Sequence, residues 1–250
     1  MERPPEIRSK ASGGATPFTC SANQDSTPSR SIPSGTFATL ACSLIAAKAL
    51  IVDFGGVLTT RIWDSFSAFC TAEGLDPNAV KELVRGDAEA LGLLRQLERG
   101  ELTDEEFERN FGALLNVRNT DGLIDRLFAG LAPDEEMLDA VRAARTAGLR
   151  TGLISNSWGT GIYKRGDFDG LFDALVISGE VGLNKPEPEI FRLACERLGV
   201  EPADCVFVDD LRENCAGAEA VGMTAVLHRD AGQTIAELEE LLGVGLRASA

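Results

Sequence analysis

Two hydrophobic rhythms run along the chain, and one stretch has neither. ALIVDF, starting at Ala49, is a short unbroken apolar run that ends on an acid. Such runs are the buried strands of a parallel sheet, apolar on both faces. LRTGLISNS, FDALVIS, CVFVDD and MTAVLH follow the same pattern later in the chain. Helical patterns alternate with them. PDEEMLDAVRAARTAG carries acids in its first turn and Gly148 after its end, and PEIFRLACERLG stops at Gly199. ENCAGAEAVG is a shorter helix, and TIAELEELLG is opened by a Thr234/Glu237 capping box. This alternation predicts an α/β protein with a Rossmann-like parallel sheet and helices on both faces.

Residues 61–130 interrupt that rhythm with an all-helical insert after the first strand. DPNAVKELVRG reads as a helix with Asp76 as N-cap, Pro77 in its first position and Gly86 as its stop. LTDEEFERNFGALL has a Thr103/Glu106 capping box and sets Phe107, Phe111, Leu114 and Leu115 on one face. DGLIDRLFAGL adds Leu123, Ile124, Leu127 and Phe128. Residues 1–45 are rich in Ser, Thr, Pro and Gly, lack periodicity, and are predicted to be a disordered extension. The expected organisation is therefore that extension, a core of 46–60 with 131–250, and a helical insert of 61–130.

Charge and composition narrow the chemistry. Of 250 residues, 39 are Asp or Glu and 24 are Lys or Arg, giving a net charge of -15. An acidic surface argues against nucleic acid or an anionic membrane as partner. No apolar run approaches the ~20 residues that span a bilayer. The one histidine, His228, excludes mechanisms that need two imidazoles and zinc sites of the HExxH or Cys2His2 kind. His228 ends the last strand and reads as structural or exposed. The six cysteines are scattered without a CxxC pair, the pattern of reduced thiols in a cytoplasm. Catalysis must rest on carboxylates, lysine, hydroxyls or a metal.

In open parallel sheets ligands sit beyond the carboxyl ends of the strands. Those ends carry Asp53, then Ser155 and Asn156, then Asp209 and Asp210, with Lys185 in the loop before the PEIF helix. Three crowded carboxylates repel one another unless a cation lies among them. An all-oxygen set suits Mg2+, which takes one or two carboxylates plus substrate phosphate. Ser155, Asn156 and Lys185 are donors for phosphate oxygens, and Gly55 and Gly56 let backbone N–H groups approach an anion. A carboxylate beside the metal can serve as nucleophile. The set reads as metal-assisted phosphoryl transfer to Asp53, followed by hydrolysis.

IVDFGGVL, LISNS, NKPEPEIF and FVDDLREN, in this order, resemble the four motifs of the haloacid dehalogenase superfamily. The helical insert is similar to the small helical cap of its phosphatase-rich subgroup. DFGGVL and LERGELTDEEF resemble bacterial phosphatase-like relatives of the N-terminal domain of soluble epoxide hydrolases. The resemblance spans about residues 48–243. It implies that Asp53 is nucleophile and Mg2+ ligand, that the Gly55 carbonyl is a second ligand, that Asp210 binds the metal, and that Asp209 binds it or one of its waters. It implies that Ser155 and Asn156 hold the phosphoryl group, that Lys185 tethers Asp53, and that Asn214 supports the site. The expected activity is a Mg2+-dependent phosphatase acting on a small phosphorylated metabolite.

One position departs from the pattern. Family phosphatases read Asp-x-Asp in the first motif, and the second Asp handles the leaving-group proton. Here that position is Gly55. The readings left open are a substrate with a good leaving group, a substitute acid among Thr59, Thr60, Asp64 or an insert residue, or a weak enzyme. A 2-haloacid dehalogenase also lacks the second Asp, although it has no use for the Asp209–Asp210 pair. A non-catalytic binding or regulatory protein on the same scaffold is the third function. Trp158 reads equally as lining of a substrate pocket or as packing, while Arg61 and Trp63 are expected to be surface and core residues rather than substrate contacts.

Overall fold

All four residues of β1 (Ala49–Val52) are buried, because this strand lies at the middle of the sheet and is covered on both faces. The computed structural model describes residues 47–159, 161–164, 168 and 170–247. The predicted N-terminal extension lies outside the described residues. After β1 come α1 (Ile62–Ala72), α2 (Ala79–Gly86), α3 (Ala88–Glu98), α4 (Asp104–Leu114) and α5 (Leu123–Phe128). The chain continues through α6 (Glu135–Thr146), β2 (Arg150–Ser155), the single turn α7 (Gly161–Lys164) and β3 (Ala174–Ile177). It ends with α8 (Ser178–Val181), α9 (Pro188–Leu198), β4 (Cys205–Asp209), α10 (Arg212–Ala220), β5 (Thr224–Leu227) and α11 (Ala231–Leu242).

The strand order is β3-β2-β1-β4-β5, and every neighbouring pair is parallel. The chain builds outward from β1 to β3, then returns to lay β4 on the other side of β1. That reversal opens a crevice at the carboxyl ends of β1 and β4. Alternate residues of the strands serve opposite layers. Leu50 and Val52 pack with Met137 and Val141 of α6 and with Ile235 and Leu238 of α11. Ala49 and Ile51 pack with Ile190 and Phe191 of α9 and Ala218 of α10.

Helices α1 to α5 hold a third apolar cluster around Phe66, Phe107, Phe111 and Leu127. Trp158, from the segment after β2, belongs to it. Its ring lies 5.0 Å from Phe66 and 5.9 Å from both Phe107 and Phe111. A core aromatic thus plugs the helical insert. The Thr103/Glu106 capping box is present at the start of α4.

Two helix starts differ from expectation. The Asp76 carboxylate accepts from the Asn78 N–H at 2.8 Å, which makes a local turn, and α2 begins only at Ala79 with Asn78 as its N-cap. Gly86 is its last residue, and Asp87 then caps α3 through the Ala90 N–H. The Thr234/Glu237 box does not open α11. Asp230 caps that helix instead, accepting from the Gln233 N–H. Thr234 is released to bond His228 Nδ1 at 3.0 Å, so the histidine is buried and structural. Burial holds its pKa below the usual value. Cys70, Cys195, Cys205 and Cys215 are buried free thiols.

Gly217 of α10 gives the packing a sharp test. A Cβ there would stand 2.6 Å from the Pro186 carbonyl oxygen and 2.8 Å from Pro186 Cβ. Alanine in a helix interior normally stabilises by about 1 kcal/mol relative to glycine. Here overpacking, about 1–3 kcal/mol, opposes and outweighs that gain. Gly217→Ala is expected to lower stability in urea unfolding; a gain would show that the Pro186 loop yields freely.

Candidate active site

The register of the sheet brings the acids together. Val52 pairs with Val208, so the next residues, Asp53 and Asp209, leave adjacent strands side by side. The Asp53 N–H donates to the Val208 carbonyl at 2.9 Å, which prolongs the pairing by one residue. Ser155 ends β2 on the other side of β1. Carboxylate oxygens of Asp53, Asp209 and Asp210 all lie within 4.8 Å of one another.

Lys185 enters this group from the loop before α9 and is only 5% exposed. Its Nζ donates to Asp53 Oδ1 at 2.7 Å, Asp209 Oδ2 at 2.6 Å and the Ile154 carbonyl at 3.0 Å. Those bonds use all three of its N–H groups. Burial alone would push the ammonium down, but Asp209 and Asp53 beside it hold its pKa above the ordinary lysine value. Lys185 therefore acts on its surroundings through charge and as a tether of Asp53.

The loop that carries Lys185 is pinned by Asn156. Its Oδ1 accepts from the Lys185 N–H at 2.8 Å, and its Nδ2 donates to the Lys185 carbonyl at 3.0 Å. One N–H of Asn156 remains for another acceptor. Asp209 is fully buried and already accepts from Leu211 N–H at 2.9 Å and from Asn214 Nδ2 at 3.0 and 3.1 Å. The Ser155 hydroxyl shares a 2.8 Å hydrogen bond with the Tyr163 hydroxyl.

Both glycines make room for a neighbour, and the Gly56 N–H is bonded within the protein. Gly56 has φ of 82°, and a Cβ there would lie 2.9 Å from Asp210 Oδ2. Only glycine combines this turn with so close an approach. Its N–H donates to Thr59 Oγ1 at 3.2 Å, an internal partner. At Gly55 a Cβ would stand 2.2 Å from Ile62 Cδ1. The space that the family's second Asp would enter is filled by a hydrocarbon side chain from α1.

Three carboxylates against one ammonium leave two negative charges without a partner. Burial pushes Asp53 up to about 7, against the pull of Lys185, and Asp209 adds to the rise. Burial and the Asp209 charge raise Asp210 as well. A divalent cation among hard oxygen donors would remove this strain, so the residues present fit Mg2+.

Above the acids is a cavity of about 500 Å³. Asp53, Gly55, Ser155, Asn156, Lys185 and Asp210 line its floor, while Ile62, Trp63, Phe66, Val84, Leu94 and Phe128 give its helical wall an apolar part. Arg61, Lys81, Asp64, Glu98, Trp158 and Tyr163 also border it. Asp209 and Gly56 lie beneath it, against Lys185 and Asp210.

Residues 47–222 match the haloacid dehalogenase-like hydrolase family. The chain belongs to that family. Bifunctional epoxide hydrolase 2 of Rattus norvegicus is 30% identical over 128 residues, 48% of this chain but 23% of the rat protein. The chain thus corresponds to a fraction of that relative's length. A sesquiterpene phosphatase, astK of Aspergillus oryzae, is 26% identical over 202 residues, which are 78% of this chain and 97% of the fungal one. A HAD family enzyme of Bacteroides thetaiotaomicron, solved with magnesium and inorganic phosphate, superposes with a TM-score of 0.56 at 23% identity. That superposition covers 73% of this chain and 94% of the other, and at this identity it speaks to the fold.

Two residues of this hydrolase site were missed in the sequence. Tyr163 lies in a single helical turn with no pattern of its own. Glu98 lies inside LERGELTDEEF and in the insert that was left open as a source of an acid, but nothing in the sequence singled it out from its neighbours. Ile62 was equally silent, since nothing local marks the first apolar residue of a helix as a plug.

The filled position predicts that the family's acid cannot simply be put back. Gly55→Asp is expected to lower stability by about 1–3 kcal/mol, the cost of overpacking. The double variant with Ile62→Ala is expected to recover most of the loss. Urea unfolding of both decides, and equal destabilisation of the single and double variants would rule out the clash.

Proposed function

We propose that this HAD-family hydrolase is a Mg2+-dependent phosphatase that moves the phosphoryl group of a small phosphorylated metabolite onto Asp53 and then releases it to water. The observation that carries this reading is the Asp53–Asp209–Asp210 group with the Lys185 ammonium fixed inside it. The phosphatase name of the Aspergillus relative supports it. Asp53, Asp210, Asp209 and the Gly55 carbonyl would hold the Mg2+. When bound, the ion would neutralise charge on the phosphoryl oxygens.

Lys185 fixes one oxygen of Asp53, so the carboxylate is presented to phosphorus in one orientation. Its positive charge opposes the negative charge that builds on the transferring group. The Ser155 hydroxyl and the remaining Asn156 N–H face the same cavity and bind phosphoryl oxygens. Asn214 holds Asp209, and Gly56 lets Asp210 approach. We assign residues 61–130 as the cap. Its apolar wall excludes water from the phosphoryl site and receives the alcohol half of the substrate, which is accordingly rich in hydrocarbon.

Assay of p-nitrophenyl phosphate and 2-chloropropionate, with Mg2+ or EDTA, tests the reading. Phosphate release that needs Mg2+ and is lost in Asp53→Asn is the expected result. Mg2+ is also expected to raise the thermal unfolding midpoint of the native chain and to do so less in Asp210→Asn. EDTA-insensitive chloride release would instead make the protein a dehalogenase. A folded chain silent toward both, with no shift on adding Mg2+, would refute the proposal in favour of a binding role.

A further inference from the structure

We propose that Glu98, at the end of α3, gives a proton to the leaving alcohol and later takes one from the attacking water, the work for which Gly55 has no side chain. The proposal rests on the phosphatase reading above.

Four acids border the cavity: Asp53, Asp64, Glu98 and Asp210. Asp53 and Asp210 belong to the nucleophile and cation site. Asp64 is exposed in the first turn of α1. Glu98 is half-buried and is held from the core side, where its Oε2 accepts from Asn184 Nδ2 at 2.9 Å. Asn184 directly precedes Lys185, so the carboxyl group is fixed relative to the tether of the nucleophile. The other candidates are occupied. Thr59 Oγ1 accepts from Gly56 N–H and donates to the Thr60 carbonyl, and Thr60 Oγ1 accepts from Ala132 N–H. Neither threonine lines the cavity.

The partner of Glu98 suits a group that gains and loses a proton. An amide offers N–H donors to a carboxylate and a carbonyl acceptor to a carboxyl O–H. Asn184 Oδ1 is buried and has no hydrogen-bond partner among the described residues. Turning the amide over would present that oxygen to protonated Glu98, so each protonation state finds a complement. Burial pushes the Glu98 pKa up to about 7, against Asn184, Lys185, Arg95 and Arg99, all of which lower it. A catalytic acid works best with its pKa near the operating pH.

The proton balance closes over the cycle. An Asp53 oxygen bonds to phosphorus as the ester P–O bond breaks, and the departing oxygen takes the bond's electron pair and the Glu98 proton. The alcohol leaves, and Glu98 is a carboxylate. Water then bonds to phosphorus, its proton goes to Glu98, and the Asp53–phosphorus bond breaks. Free phosphate, the Asp53 carboxylate and protonated Glu98 result.

Glu98→Gln retains an acceptor for Asn184 Nδ2 and removes the transferable proton. The full chain and this variant, with Mg2+, are compared on p-nitrophenyl phosphate, whose phenolate leaves unprotonated, and n-hexyl phosphate, whose alkoxide does not. The expected result is a kcat/KM loss of about 10^2 to 10^4 on hexyl phosphate, with kcat/KM on the aryl ester nearly unchanged. The variant is also expected to release one equivalent of p-nitrophenolate in a burst, because the water step has lost its base. Arg142→Ala, which breaks the exposed Arg142–Asp139 ion pair on α6 away from the cavity, is expected to affect the two esters alike. Equal losses on both esters in Glu98→Gln, or none on either, would overturn the role of Glu98 alone. Turnover of the aryl ester that survives Asp53→Asn would overturn the phosphatase reading and this proposal together.

Discussion

A single buried ammonium organises the site. Lys185 brings a positive charge to the place where β1 and β4 deliver two carboxylates side by side, and each of its N–H groups has a partner. Without it, Asp53 and Asp209 would face each other across a low-dielectric gap where like charges repel strongly. The surrounding structure is arranged to keep Lys185 in place. Asn156 clamps its backbone from one side, Asn184 ties the loop to Glu98, and Gly217 lets α10 approach Pro186 with no side chain between. Five segments distant in sequence, β1, the end of β2, α3, β4 and α10, thus converge on the Lys185 loop.

The helical insert is coupled to the same centre through two hydrocarbon contacts. Trp158, three residues after the end of β2, packs inside the aromatic cluster of the insert. Ile62, the first residue of α1, fills the space above Gly55. At this position, in the turn after β1, the chain has an apolar contact between its two layers and no side-chain proton donor. Close approach at the far edge reinforces the link, since Gly100 sits where a Cβ would lie 2.4 Å from the Gly179 carbonyl oxygen.

How much of this was legible follows from what each residue's role depends on. Asp53, Ser155, Asp209 and Asp210 could be read because strand ends are marked locally, by apolar runs that stop on polar residues; Lys185, in the loop before α9, was picked out with NKPEPEIF instead. The parallel sheet followed from the same runs. Tyr163 and Ile62 could not, because what they touch is set by other parts of the chain, and Glu98 was visible only as one residue of the LERGELTDEEF resemblance. The helix starts failed for a related reason. Thr234 and Asp76 each had a competing partner, His228 for one and the Asn78 N–H for the other, and propensity does not rank such competitors. Gly56 was read as an opening for an anion, whereas its missing side chain makes room for Asp210.

Several groups that looked like phosphate donors are spent inside the protein. Lys185 has no N–H left, Asn156 has one, and the Gly56 N–H is taken by Thr59. With its three acids ionised, the floor would carry two negative charges beyond the one that Lys185 balances, and these would repel a phosphate dianion. Under the proposed function, recognition of the anion then has to begin with neutralisation of these acids, and the direct donors only orient it. A site assembled in this way discriminates by charge balance at its floor and by shape and polarity at its apolar wall, and the two functions are carried by separate layers of the fold.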